Sequence, residues 1–133
     1  MDPVEPVSHF DELIGTEWLE ADAETARGRF RVEQKHRQPF GLVHGGLYCV
    51  LAESICSRAT AAAVWDSGQI AVGQANDTSM LRPVTDGHVN AVARRRHTGR
   101  TTWVWEVDLT DDEGRLCAIS RITMAIRPRP GAS

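Results

Sequence analysis

Eighteen consecutive residues, Leu47 to Val64, contain neither Pro nor Gly and only two charges, Glu53 and Arg58. The run is too long for an ordinary strand and suits a helix. Ala, Leu, Cys and Ser dominate it, so it is apolar nearly all round and reads as a helix buried on most sides. A chain that carries one such helix must supply other elements to cover it. That demand constrains everything else in the sequence.

The rest of the chain reads mainly as strands. Its 133 residues suit one domain, 1–133, with loose ends at Met1 to Pro6 and Pro128 to Ser133. Val7 to Ile14 predicts a short helix with Phe10, Leu13 and Ile14 on one side. Ala26 to His36 alternates as a strand, with Phe30, Val32 and Gln34 on one face. Beyond the long helix, Ile70 to Leu81 is a strand ended by Arg82-Pro83, and Val89 to His97 follows the turn at Pro83 to Gly87. Thr101 to Thr110 sets Trp103, Trp105, Val107 and Leu109 on one face, towards the core or an interface. Asp111-Asp112-Glu113-Gly114 is a hairpin connection, and Leu116 to Ile126 alternates again. A strand, a buried helix and four antiparallel strands joined by short turns make an α+β chain. The arrangement that covers the helix is the hot-dog fold, an antiparallel sheet wrapped around one long helix.

Composition excludes several functions. Fifteen Lys and Arg against eighteen Asp and Glu disfavour a nucleic-acid binder. Met1 to Leu13 carries four acids and no Lys or Arg, which is not a signal peptide. The most apolar window, Leu42 to Trp65, is broken by His44, Glu53 and Arg58, so no membrane span is expected. Cys49, Cys56 and Cys117 are odd in number and lack zinc spacing, as expected of reduced thiols in a cytoplasmic protein. His36, His44, Cys49 and Glu53 show no metal-ligand spacing, and there is no Gly-x-Ser-x-Gly elbow. Neither a metal nor a cofactor is expected.

Glu53 is the lone carboxylate on the apolar helix. Burying such a charge without a partner costs several kcal/mol. It either pairs with Arg58, five residues on and poorly spaced for a helix ion pair, or lies on a wet stripe, or serves a site. Ser57 shares its face four residues on and either holds a water with it or packs against the helix backbone. At the helix start, Gly45 and Gly46 leave backbone N–H groups uncovered at the positive end of the dipole, where an oxygen gaining negative charge is stabilised.

These residues resemble a known family. His44-Gly45-Gly46 followed by Glu53 in Leu51-Ala52-Glu53-Ser54 is similar to the helix motif of hot-dog thioesterases of the phenylacetate-pathway type. Gln38, Ala71-Val72-Gly73-Gln74, Asn76, Thr78-Ser79, Leu81-Arg82-Pro83, Gly87-His88-Val89, Thr101-Thr102-Trp103 and Gly114 to Ala118 look most like the Arthrobacter-type 4-hydroxybenzoyl-CoA thioesterases. The likeness runs from about Pro39 to Pro128. It implies an acyl-CoA substrate, Glu53 as nucleophile or general base, and the Gly45 N–H as donor to the thioester carbonyl. It further implies Gln38 near that carbonyl, His44 orienting Gln38 or its loop, and Ser57, where the family type has Thr, holding water. Gly46, Asn76, Arg82, Arg100, Thr101 and Thr102 become candidate substrate and CoA contacts, with the run Arg94 to Arg96 and the tail Arg127 and Arg129 behind them. In such enzymes the active site lies between subunits, so self-association as a dimer or tetramer is implied.

Two other readings share the fold. A 3-hydroxyacyl dehydratase would pair a histidine with a carboxylate, a pair His44 and Glu53 would imitate, but the Gly45-Gly46 doublet and Gln38 favour the thioesterase. A non-catalytic acyl-CoA-binding protein would have no need of Glu53 on the helix.

Overall fold

The computed structural model describes residues 8–131; the loose end expected at Met1 to Pro6, together with Val7, lies outside them. The first helix, α1, is His9–Ile14, capped by the Ser8 hydroxyl, which accepts from the amides of Phe10 and Asp11. Ile14 is buried, as its spacing predicts, but Phe10 and Leu13 are exposed. Asp11 takes the inward position instead and accepts a 2.9 Å hydrogen bond from the Ser54 hydroxyl.

Two strands follow, β1 at Glu17–Ala21 and β2 at Thr25–Arg31. The expected strand Ala26 to His36 stops at Arg31, and Gln34–His36 is a 3₁₀ turn. The buried His36 ring makes that turn. Its Nδ1 accepts from the Glu33 amide at 2.8 Å, so its Nε2 is the atom that donates to the Ile14 carbonyl at 2.7 Å. The long helix, α2, is Gly46–Val64. Four strands complete the chain: β3 Gln69–Met80, β4 His88–Thr98, β5 Thr102–Thr110 and β6 Leu116–Pro128.

The six strands form one antiparallel sheet in the order β1-β2-β4-β5-β6-β3, curled around α2. This is the hot-dog fold. The four last strands are not a simple meander: β3 pairs with β6 at the sheet edge, and residues 81–87 carry the chain back to β4. Gly46–Ser67 is long and apolar enough to cross a membrane, but here it lies in the curl of the sheet. The sheet approaches closely: a Cβ on Gly28 of β2 would stand 2.7 Å from Ile55 Cγ2 of α2.

Trp103 and Trp105 both belong to the protomer's own core, at 7% and 0% exposure. The Trp105 indole N–H donates to Thr60 Oγ1 at 2.9 Å, and Thr60 donates to the Cys56 carbonyl at 2.7 Å. The guanidinium of Arg95 covers the Trp103 ring. At the other end of the chain, Pro128, expected in a loose tail, pairs with Gln69 as the end of β6, and Ala132 and Ser133 lie outside the described residues. Arg129 then donates its amide to the Gly68 carbonyl and stacks over Trp65 at 4.1 Å.

Candidate active site

The N-terminus of α2 has one free donor. His44 Nδ1 accepts from the Gly46 amide at 3.1 Å, and the Leu47 and Tyr48 amides donate to the His44 and Gly45 carbonyls. The Gly45 N–H alone has no acceptor among the described residues. Of the two glycine N–H groups, then, that of Gly46 is taken up by His44 and that of Gly45 is free among the described residues. His44 caps the helix and anchors the loop, its amide donating to the His36 carbonyl at 2.9 Å; it makes no hydrogen bond to Gln38.

Gln38 sits in that loop, half-buried. Its amide donates to the Leu42 carbonyl, its carbonyl accepts from Gly41, and its side-chain Oε1 accepts from the Phe40 amide. With the oxygen held, the carboxamide presents its Nε2 donors outward. A cleft of about 300 Å³ lies beside this helix start, lined by Val43, Gly45, Tyr48, Met80 and Arg82 among others. Tyr48, which the sequence reading passes over, is buried there, with its hydroxyl lacking a hydrogen-bond partner among the described residues.

Glu53 lies one face round, against β3. Its carboxylate is half-buried and forms no ion pair with Arg58, whose guanidinium stacks over Trp18 at 4.5 Å instead. A Cβ on Gly73 would come within 2.9 Å of Glu53 Oε2. Asn76 Nδ2 reaches Glu53 Oε1 at 3.4 Å and the Cys49 carbonyl at 2.9 Å. Ser57 is half-buried and bonds to Met124 Sδ at 3.8 Å rather than to Glu53. Burial, reinforced by the nearby charge of Glu53, pushes the Cys56 thiol well up, so this sulfur stays protonated and acts as packing. No cluster of three His, Cys, Asp or Glu side chains able to hold a metal occurs among the described residues.

Gly45 and Glu53 stand well apart along α2. Eight residues of helix separate Gly45 from Glu53, a rise of about 12 Å. Helix N–H groups also point towards the N-terminus, so an acceptor on Gly45 sits beyond the helix end and away from Glu53. The arginines divide in the same way. Arg82, exposed, follows β3 at the Gly45 end. Arg100, Thr101 and Thr102 lie at the β4–β5 turn, where Thr101 binds the Ile126 amide and Arg127, at the end of the sheet that holds the C-terminus of α2. Several other candidates are occupied: Arg95 by the Ala23 carbonyl, Arg96 by Glu106, Arg127 by carbonyls and Arg129 by Trp65.

Comparison with known proteins sets this geometry in context. Residues 40–118, more than half the chain, match the family model described as thioesterase superfamily. A thioesterase of Pseudomonas aeruginosa is 41% identical over 120 residues, covering 90% of this chain and 83% of that protein. Its crystal structure superposes with a TM-score of 0.85 at 39% identity, covering 90% of this chain and 86% of that one. The 1,4-dihydroxy-2-naphthoyl-CoA hydrolase of Escherichia coli is 38% identical over 115 residues, 86% of this chain and 79% of its own. A Staphylococcus aureus thioesterase, 28% identical with a TM-score of 0.87, covers 91% of this chain and 100% of its own. It has been solved with a glutamine and, separately, a glutamate replaced by alanine; the two positions lie fifteen apart, the separation of Gln38 and Glu53.

Proposed function

The chain belongs to the thioesterase superfamily and is a thioester hydrolase, and from that premise we propose that it cleaves an aromatic acyl-CoA, hydroxybenzoyl-CoA-like, to the free acid and CoA. The likeness to the Arthrobacter-type 4-hydroxybenzoyl-CoA thioesterases and the 38% identity to the E. coli 1,4-dihydroxy-2-naphthoyl-CoA hydrolase support the aromatic acyl group. The observation that carries the reading is the Glu53 carboxylate, set on α2 against Gly73 and Asn76 with no countercharge bonded to it among the described residues.

In this reading one Glu53 oxygen attacks the thioester carbon, the C–S bond breaks, and CoA leaves as the thiolate. Water then opens the mixed anhydride, returning the carboxylate and releasing the acid. The other route has Glu53 take a proton from a water that attacks directly; the family resemblance favours the anhydride. Ser57, one turn on, holds the water. The carbonyl oxygen takes up the developing charge and receives the free N–H of Gly45 and the Nε2 of Gln38. Because Gly45 and Glu53 of one protomer are too far apart for one carbonyl, the Gly45 donor comes from a second copy. The active unit is therefore a dimer, or a tetramer built from dimers, with Arg82 facing the CoA phosphates beside Gly45. Arg100, Thr101 and Thr102 would contact a CoA bound towards the opposite end of α2. CoA enters as part of the substrate, no cofactor is required, and a cytoplasmic setting suits the free thiols.

Thiol release from a panel of benzoyl-, hydroxybenzoyl-, phenylacetyl- and fatty acyl-CoA tests the acyl assignment. The highest kcat/KM is expected with the aryl-CoA members. A preference for a fatty acyl chain contradicts it.

A further inference from the structure

Beside Glu53 runs a line of polar side chains that the reaction above leaves without a task. Thr78 Oγ1 donates to Asn76 Oδ1 at 2.7 Å, and Ser120 Oγ of β6, 5% exposed, lies 2.7 Å from the same Thr78 oxygen. Thr78 has one proton and gives it to Asn76, so Ser120 is the donor to Thr78. Asn76 Nδ2 then donates one hydrogen to the Cys49 carbonyl and the other towards Glu53 Oε1. Turning the amide over would set its oxygen against a carbonyl and a carboxylate, both acceptors. The chain of donors therefore runs one way, from the buried sheet to Glu53.

A backbone irregularity makes the contact. The β3–β6 register slips between Gly73 and Ala75, so that Gly73 pairs with Met124 and Asn76 with Ile122, both on the buried face of β6. In a regular strand, residues three apart face opposite ways; the bulge turns Gly73 and Asn76 to the same side, under Glu53.

We propose that Asn76, locked by Thr78 and Ser120, is the positioning residue that fixes the Glu53 carboxylate, holding Oε1 and leaving Oε2 as the attacking atom. This rests on Glu53 being the reacting carboxylate. In this role Asn76, a candidate substrate contact by the family resemblance, acts through Glu53. No hydrogen-bond donor engages Oε2 among the described residues, which keeps its electron pair available. Asn76 itself is exposed, and the buried Ser120 hydroxyl anchors the other end of the line through Thr78.

Steady-state thiol release from benzoyl-CoA tests it. Asn76→Leu and the isosteric Asn76→Asp are expected to lower kcat between about tenfold and 100-fold, the cost of a misplaced reacting group, with KM nearly unchanged. Thr78→Val is expected to lower kcat less in the native background and not at all in the Asn76→Leu background, because it acts only through Asn76. Thr78→Ser restores the native rate. Native kcat in both Asn76 variants, a loss confined to KM, or a Thr78→Val loss repeated in full on Asn76→Leu overturns the proposal. Glu53→Gln separates the two readings. If it stays active, the role of Glu53 itself fails; if it is inactive while the Asn76 variants match the native enzyme, only the positioning role fails.

Discussion

The Glu53 carboxylate rests against the bare α-carbon of Gly73: a methyl group built there would stand 2.9 Å from Oε2 and 3.0 Å from Cδ. The backbone of Gly73 is not in the left-handed region, so alanine is conformationally acceptable there. What must give is the Glu53 carboxylate at the end of its side chain, not backbone. Gly73→Ala should therefore leave the melting temperature nearly unchanged while lowering kcat by about tenfold or more, since the reacting group is displaced. Thermal unfolding and thiol release on the same sample check it; a variant with native kcat shows that the carboxylate position is not critical.

The bond between Thr60 and the Trp105 indole should matter for stability and not for chemistry. Both residues are fully buried, so Thr60→Val strands the indole N–H. Leaving a buried donor unpaired costs about 1–3 kcal/mol, measurable by denaturant unfolding, and Thr60→Ser should recover most of it. Equal stability in the Val variant would mean the indole finds another acceptor.

Acid should loosen the β5–β6 connection. The Asn90 amide, followed by the His88 ring and amide, holds the Asp112 carboxyl below its ordinary value. A carboxyl whose pKa is depressed in the folded state contributes stability above its unfolded pKa, about 3.9, and loses it as pH falls through the folded one. Asp112→Asn should thus lower the melting temperature at pH 7, and the difference from native should shrink as pH is lowered below 4. A difference that stays constant from pH 7 to pH 3 would assign the effect to shape rather than charge.

The separation of Gly45 and Glu53 along α2 predicts complementation between copies. Gly45 has φ −57°, a value proline accepts, so Gly45→Pro removes the N–H, with the Met80 methyl, 3.0 Å from an added Cβ, having to give way. Gly45→Pro and Glu53→Gln proteins should each be inactive. Mixed in equal amounts and allowed to exchange subunits, they should regain about a quarter of native activity, because half the two-fold dimers are mixed and each has one intact site. No recovery after proven exchange would place both groups in one protomer.

Much of this architecture was legible in the residues. The absence of Pro and Gly from Leu47 to Val64 placed α2 within one residue of its observed start, and strict alternation located β5 through Trp103, Trp105, Val107 and Leu109. Strand β1 escaped because Glu17–Ala21 is an edge with only Trp18 half-buried, which leaves no alternating pattern to read. Strand β2 ends before its period does: Val32 and Gln34 continue the alternation while the His36 ring, through two backbone contacts, turns the chain inward. Pairing of β3 with β6 is a long-range choice that the Pro83 to Gly87 turn does not announce.

The site was half legible. Residue types singled out Glu53 and Gly45, and helix rise alone implies that they stand about 12 Å apart. Which N–H stays free was not readable, since it depends on His44 Nδ1 facing Gly46. Nor was the role of Asn76 and Thr78: period two sets Gly73 and Asn76 on opposite faces, and the bulge that reverses this has no residue signature of its own.

The central claim is that Glu53 is the reacting carboxylate, and replacing it with its own amide tests that claim most directly. Glu53→Gln keeps the shape, so circular dichroism and CoA affinity should match the native protein. Thiol release from benzoyl-CoA should fall by roughly a hundredfold or more, as expected when the reacting group itself is lost. A folded Glu53→Gln protein that keeps more than about a tenth of native kcat contradicts the account, because a change below 1.4 kcal/mol in the barrier is too small for the group that attacks the thioester.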